Sequence, residues 1–472
     1  MKEGFKILRK AAAPSAFHDS GHQFDVPRCH ESTRNAVIEK INDWVNLVIE
    51  NAAFIMWLYG AAGAGKSAIA RTMAESLHRR QQLLATFFFS RADASRNNIK
   101  SLVATLAYNL TRSISELYHI ITTTIEKDPL IFHRPFDHQL RQLILGPLHQ
   151  LSQQGVVYPT VIVIDGLDEC LDHEERTILL QAISRASGQD SAPLKFLITS
   201  RPEVPITRAF NTTPVIEASV RHSLDDEPES IGDVEYFLSA KFDEIKRTHP
   251  SRRHIPQDWP TPQVKADLVQ KSSGQFIYPA TIIRYISSPR HSPALRLKMV
   301  LNLRPLSGES PFVKLDSLYR HILLSCENVE LALRIIGMCL LSTQAIDVPW
   351  DSGDPYDFPS EITMPKHTER ILGLYPGDVQ RGLEDLGSLV EYKDDNTELR
   401  VLHASLFDFL SDPIRFSDLP FSLAAIHTDL AIWSSYLDAH HGNVQIEGLG
   451  CESDILYSLF LSHLETMLIL HV

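Results

Sequence analysis

The chain has 472 residues, 44% of them hydrophobic and 22% charged, and its 45 Lys and Arg against 58 Asp and Glu give a formal net charge of -13. At roughly 150 residues per domain this length points to about three domains, and the composition excludes a disordered or fibrous protein. The negative net field disfavours a nucleic-acid partner, and Cys29, Cys170, Cys326, Cys339 and Cys451 form no Cys-x-x-Cys pair, which argues for a reducing compartment without a structural metal.

The opening stretch MKEGFKILRKAAAPSAFHDS lacks the run of about 7 apolar residues that the core of a signal peptide needs. No stretch approaches about 18 uninterrupted apolar residues, so the reading is a soluble, cytoplasmic chain with no membrane partner. Residues 31–50 put Val37, Ile41, Trp44, Val45 and Val48 at helical spacing, which predicts an amphipathic helix.

Four short apolar runs then alternate with helical stretches: 53–59, 83–90, 160–165 and 195–200. Runs without polar alternation are what a parallel sheet covered on both faces demands. A fifth run, PVIEAS at 214–219, is expected to complete a five-stranded layer, and the acidic stretch RHSLDDEPESIG reads as the connector that follows.

From Ile231 the pattern turns helical, with Val234, Phe237, Leu238, Phe242 and Ile245 on the same expected face. A second helical pair follows, broken at Ser272-Ser273-Gly274, with Pro279 allowed only in the first turns of its second helix. Between about 311 and 417 three helical segments precede two short strands joined at Asp394-Asp395-Asn396, the layout of a winged helix. The last stretch ends on the apolar LETMLILHV, and no internal repeat is visible.

The expected fold class is α/β: a P-loop NTPase parallel sheet with helices on both faces, followed by a helical lid domain and a winged-helix domain. The expected divisions are a lead-in at 1–50, the NTPase core at 51–220, the lid at 221–290, the winged helix at 291–420 and a short helical extension at 421–472.

Chemistry concentrates in three motifs. The stretch Gly60, Ala61, Ala62, Gly63, Ala64, Gly65, Lys66, Ser67 and Ala68 has the spacing of a phosphate-binding loop. Its glycines let successive N–H groups point at phosphate oxygens, Lys66 reaches the outer phosphates, and Ser67 supplies an oxygen to Mg²⁺. In VIVIDGLDEC a core strand ends at Asp165, the expected metal-side carboxylate, with Asp168 and Glu169 beyond it to orient an attacking water. Asp168 is the preferred of the two, and the competing reading is that these acids only cap the helix beginning near DHEERT. In KFLITSRPE a further core strand delivers Arg201 towards the ligand, the alternative being a surface arginine before a turn.

Together these motifs resemble the NACHT NTPases of the STAND class, and more closely the fungal set with a nephrocystin-3-like N-terminal NTPase domain. The lead-in FDVPRCHESTRNAVIEKINDWV and the downstream LHASLFDFLSD carry the same resemblance. It implies a switch that is closed with ADP and open, often oligomeric, with ATP, hydrolysing slowly and serving an NLR-like role in fungal immunity or self/non-self recognition. The nucleotide is ATP/ADP or GTP with Mg²⁺, and the implied partners are further copies or related NACHT proteins. His403 matches the histidine that touches the ADP phosphate in such switches, while Pro279 lacks the Gly-x-Pro context of their adenine-side proline. No effector domain precedes the NTPase and no repeat array follows it, so the chain is expected to act through partners. The competing functional readings are an AAA-like ATPase remodelling protein or nucleic acid, and a scaffold that binds nucleotide without hydrolysing it.

Overall fold

The computed structural model describes residues 2–20, 28–46, 53–186 apart from 92, 194–303 apart from 228, 313–342, 365–393, and 398–429 apart from 413, 417, 418, 421, 423, 424 and 427. The chain divides into two units: Met1–Phe237 with Ser272–Ile277, and Leu238–Lys271 with Tyr278–Val472.

The first unit is built on five strands, β1 (Ile55–Tyr59), β2 (Leu83–Phe88), β3 (Val161–Asp165), β4 (Lys195–Ser200) and β5 (Ser219–Ser223), in the order β2-β3-β4-β1-β5. All four pairings are parallel. Successive side chains of a strand point to opposite faces, and the packing follows that alternation. Ile55 and Trp57 join one buried cluster with Ile162, Ile164, Phe196 and Ile198, whereas Met56 and Leu58 join a second with Val161, Val163 and Leu197.

The helices that cover these faces follow in chain order: α1 (Glu3–Ala11), α2 (Asn35–Asn46), α3 (Lys66–Arg79), α4 (Leu102–Ser113), α5 (Ser115–Lys127), α6 (Phe136–Leu140), α7 (Gly146–Gln153), α8 (His173–Ala186), α9 (Val204–Phe210) and α10 (Val215–Ala218). Ile41 and Trp44 of α2, with Ile69, Met73 and Leu77 of α3, pack on the Met56 face. Leu8 of α1, Val103 and Leu106 of α4, Leu117 and Ile121 of α5 and Leu179 and Ile183 of α8 pack on the Trp57 face. The expected sheet covered on both sides is therefore present.

Two local expectations are corrected. The run PVIEAS does not form the fifth strand: Val215–Ala218 is a helical turn, and the strand is the polar SVRHS that follows it. Val215 and Ala218 are buried because a short helix packs its apolar side on the Trp57-face cluster, and a short apolar run is ambiguous between the two structures. The predicted helix at 31–50 starts only at Asn35, since Ser32 and Arg34 adopt positive φ of 64° and 60°; Val48 lies outside the described residues.

The chain continues through α11 (Ser230–Thr248), α12 (Pro262–Ser272) and α13 (Ile277–Ile286). Ser273 (φ 49°) and Gly274 (φ 78°) end α12 as expected, and Pro279 is the third residue of α13, where its missing N–H costs no helical bond. Ile231 departs from the expected face and is exposed, while Val234, Leu238, Phe242 and Ile245 are buried.

The second unit adds α14 (Pro293–Leu301), α15 (Val313–Leu324), α16 (Val329–Ser342), α17 (Pro365–Ile371), α18 (Asp378–Gly382), the antiparallel strands β6 (Val390–Lys393) and β7 (Glu398–Val401), and α19 (Ala404–Leu410). The third expected helical segment, PGDVQRGLEDLGSLV, is broken into α18 and a 3-10 turn at Glu384–Leu386. Asp316 of α15 takes Arg415 with both oxygens, at 2.9 and 2.6 Å, and the Tyr319 hydroxyl meets that of Ser405 at 2.9 Å. The turn residues Asp394, Asp395 and Asn396 and the terminal LETMLILHV lie outside the described residues.

Candidate functional site

The strand order decides which residues meet. Because β4 stands between β1 and β3, the loop after β1 lies at the same carboxyl edge as the acids after β3, with the end of β4 between them. The first unit thus brings together residues 60–68, Asp165, Asp168, Glu169 and Arg201.

The loop leaves β1 at Gly60 and enters α3 at Lys66. Gly63 (φ 79°) and Gly65 (φ 92°) hold left-handed backbone that L side chains rarely adopt. A Cβ on Gly63 would stand 2.2 Å from Ile277 Cγ2, so this position is closed to any side chain on two counts. Ala62 and Ala64 are buried against the core, while Ala61, Ser67 and Ala68 are partly exposed.

Lys66 folds back over the loop, its Nζ donating to the carbonyls of Gly60 (2.8 Å) and Ala61 (2.9 Å). Burial pulls its ammonium below the usual lysine range, and Asp168 opposes that shift. Asp165 is buried at the end of β3. It accepts the Thr199 hydroxyl at 2.5 Å and a hydrogen bond from Ser67, yet burial still raises its pKa. Thr199 Oγ1 in turn accepts the Gly166 N–H at 3.0 Å, so one hydroxyl ties β4 to both residues of the Asp165-Gly166 turn.

Beyond Gly166, whose φ is 74°, a single 3-10 turn at Leu167–Glu169 carries the two remaining acids. Asp168 Oδ1 accepts the Arg201 backbone N–H at 3.0 Å and Oδ2 pairs with Arg201 Nε at 3.1 Å. Glu169 takes the Arg91 N–H at 3.1 Å, and burial together with the neighbouring Asp168 charge pushes its carboxyl up to about 7. The helix that follows is capped by neither acid: Asp172 Oδ1 accepts the N–H of Glu174 at 2.7 Å.

Four residues outside the motifs also hold the site. Arg34 is buried beside the loop, with Nη2 donating to the Ala64 carbonyl at 2.8 Å, Nη1 to Ser230 Oγ at 2.8 Å, and its guanidinium 4.9 Å from the centre of the Phe276 ring. Asp225, just past β5, accepts the Ala61 N–H at 3.1 and 3.0 Å. Arg91 and Arg176 both donate to the Asp168 carbonyl, at 3.1 and 2.8 Å. These hydrogen bonds of Arg34, Arg91 and Asp225 bridge 30 to 196 positions of sequence, that of Arg176 only 8, and of the four residues only Arg34, in the Thr33-Arg34 pair, left a trace in the sequence, as part of the family-like lead-in.

His403 belongs to the second unit, where it is the N-cap residue of α19 directly after β7, with φ -140° and partial exposure. Pro279 also falls in that unit.

The donor set fits a polyphosphate with a divalent cation. Left-handed glycines lead into the N-terminus of a 14-residue helix, a lysine lies over the loop, and a hydroxyl stands beside a buried carboxylate. Among the described residues no group of three or more His, Cys, Asp or Glu could hold a metal by itself. Nor is any helix among them long and apolar enough to cross a membrane.

The family model described as nephrocystin 3, N-terminal, matches residues 35–201. No curated protein matches the sequence. Among solved structures the chain is similar to a Signal Transduction ATPase with Numerous Domains (STAND) protein with a tetratricopeptide repeat sensor from Pyrococcus horikoshii, at 14% identity and a TM-score of 0.46. That match covers 96% of this chain and 50% of the other, so this chain spans half the length of that protein. It is also similar to the ORC2 protein of Aeropyrum pernix in its ADPNP-ADP complexes, at 13% identity and a TM-score of 0.38, covering 89% and 98% of the two chains. A third similarity is to Drosophila ORC bound to DNA, at 12% identity and a TM-score of 0.33, covering 91% and 92%. The parallel five-stranded sheet, with a glycine-rich loop between β1 and the N-terminus of α3, gives the first unit the α/β fold of the P-loop NTPases.

Proposed function

We propose that the chain is a nucleotide-dependent switch of the NACHT and STAND kind, which binds ATP or GTP with Mg²⁺ and hydrolyses it slowly. The observation that carries this reading is the meeting, at one sheet edge, of Lys66, the Ser67–Asp165–Thr199 chain of hydrogen bonds and the Asp168–Arg201 pair. Such an arrangement offers phosphate donors and a metal-side carboxylate at one edge of the sheet, with Glu169 next to Asp168 as the water-orienting acid.

Residues 60–68 hold the phosphates in this reading, and Ser67 and Asp165 hold the cation, which supplies charge neutralisation at the transferred phosphate when bound. Asp168 spends both oxygens on Arg201 and keeps that guanidinium aimed at the edge of the sheet. Glu169, with its carboxyl near neutrality, is the residue that orients and deprotonates water.

The domain division 1–50, 51–220, 221–290, 291–420 and 421–472 supplies the remaining parts of a switch. These are a lid, a winged helix whose His403 contacts the β-phosphate of ADP in the closed form, and a surface for further copies or related chains. A fungal immune role and a cytoplasmic location accompany the reading on the strength of the motif resemblance.

Lys66→Ala tests it. Loss of a charge-assisted contact predicts at least a ten- to hundredfold rise in the Kd of a fluorescent ADP, with an unchanged circular dichroism spectrum. Equal affinity in wild type and variant contradicts the proposal.

A further inference from the structure

The loop's own residues do not explain which way the carbonyls that hold Lys66 are turned. Its Nζ lies on two carbonyls, those of Gly60 and Ala61, and the direction of the first is set by a peptide plane. In a trans peptide the C=O of one residue and the N–H of the next point in opposite directions. The Gly60 carbonyl therefore faces Lys66 only while the Ala61 N–H faces the other way, and what it faces there is Asp225, through both carboxylate oxygens at 3.1 and 3.0 Å.

Asp225 is delivered to that spot by the sheet. The parallel register of β1 and β5 ends at Tyr59 opposite Ser223, and the Leu224 N–H extends the ladder by one bond to the Tyr59 carbonyl at 2.8 Å. At the next step a side chain replaces the backbone, and the Asp225 carboxylate takes the Ala61 amide. The same logic operates at the far end of the loop, where Arg34 holds the Ala64 carbonyl at 2.8 Å and so turns the Gly65 N–H to the opposite side of that peptide.

We infer that Asp225 is a positioning residue for the phosphate site: by fixing the Gly60–Ala61 peptide it aims the carbonyl that holds Lys66 where the outer phosphates bind. This rests on the nucleotide reading above. The carboxylate acts from behind the loop, on the side of the peptide away from Lys66, so its charge does not stand in the path of phosphate. It also counters the burial that depresses the Lys66 pKa.

The test uses the full chain and compares wild type, Asp225→Ala and Asp225→Asn for binding of fluorescent ADP with magnesium, alongside thermal melting without nucleotide. Asp225 is exposed and belongs to neither core cluster, so both variants should fold. Asp225→Ala is expected to weaken ADP about tenfold while the nucleotide-free melting temperature moves by no more than about 2 °C. Asp225→Asn, which keeps one acceptor oxygen for Ala61, should stay within about threefold of wild type. Unchanged or tighter binding in Asp225→Ala overturns the inference, as does an Asn variant as weak as the Ala variant, since an acceptor would then not be what matters. A wild type that fails to bind ADP overturns the nucleotide reading itself, whereas a binding wild type beside an equally binding Asp225→Ala overturns this inference alone.

Discussion

Asp168 grips Arg201 at two points, its Oδ1 taking the backbone amide at 3.0 Å and its Oδ2 facing Nε at 3.1 Å. Asp168 is 3% exposed, so the pair is shielded from solvent on its acid side and breaking it strands a buried charge. Asp168→Asn and Arg201→Ala should each slow single-turnover ATP hydrolysis about 10- to 100-fold while leaving ADP affinity within about threefold. Because the two act as one unit, the double variant should be no slower than the worse single variant. Rate losses that multiply would show that the residues act separately.

Glu169 predicts a pH dependence. Its folded-state carboxyl titrates at about 7, above its ordinary value near 4.5, so the folded chain keeps a proton that the unfolded chain has already lost between those two values. Stability from this group is present below about pH 4.5 and declines as pH rises towards 7. Glu169→Gln removes that decline: its melting temperature should match wild type at pH 5 and exceed it at pH 8, by an amount on the order of 1–3 kcal/mol in stability. Hydrolysis should show the opposite trend, rising in wild type through pH 7 as the carboxylate forms, with no such limb in Glu169→Gln. Melting curves and rates at six pH values between 5 and 8.5 check both.

Much of this unit was legible in the sequence, for reasons that particular residues show. Strands β1 to β4 are buried on both faces, so IMWLY, LLATFF, VIVID and KFLITS read as mainly apolar runs without polar alternation. The fifth strand is hard to read from sequence because it lies at an edge, where SVRHS meets solvent and shows neither apolar continuity nor clean alternation. The glycine-rich loop at 60–68, Asp165, Asp168, Glu169 and Arg201 are legible as candidates because each sits in a short local motif at a strand end. Arg34 and Asp225 are not, since their partners are brought close only by the folded sheet. Asp225 in particular sits in an acidic stretch that reads as a connector.

Thr199 joins both sides of the Asp165-Gly166 turn, donating to Asp165 at 2.5 Å and accepting from Gly166 at 3.0 Å. Thr199→Val keeps the shape and removes the hydroxyl, leaving a buried acceptor and a buried donor without this partner. A loss of about 2–4 kcal/mol in urea unfolding is expected, with Thr199→Ser recovering more than half of it. If Thr199→Val is as stable as wild type, the short contact contributes nothing.

His403 discriminates a locking switch from a plain ATPase. A hydrogen bond from its imidazole to an ADP phosphate corresponds to about 1.5–3 kcal/mol, so His403→Ala should speed ADP release about 10- to 100-fold and leave ATP binding near wild type. Native mass should shift towards larger assemblies with ATP and magnesium. A histidine that only begins α19 would instead lower thermal stability equally with and without nucleotide, and stopped-flow release of fluorescent ADP separates the two.

The two margins of the sheet differ in a way that bears on how copies of this chain could join. Every residue of β2 is buried, and the N-terminal stretch before His18 lies close to it, with the His18 N–H bonded to Thr86 Oγ1 at 3.1 Å. At the opposite margin no further strand pairs with β5 among the described residues; β5 is short and carries Arg221, together with His222, whose Nε2 lies 2.8 Å from Glu227. Short charged margins resist the addition of a foreign strand. Neither margin therefore invites growth by strand addition, so copies of this unit that join would do so through helices and loops.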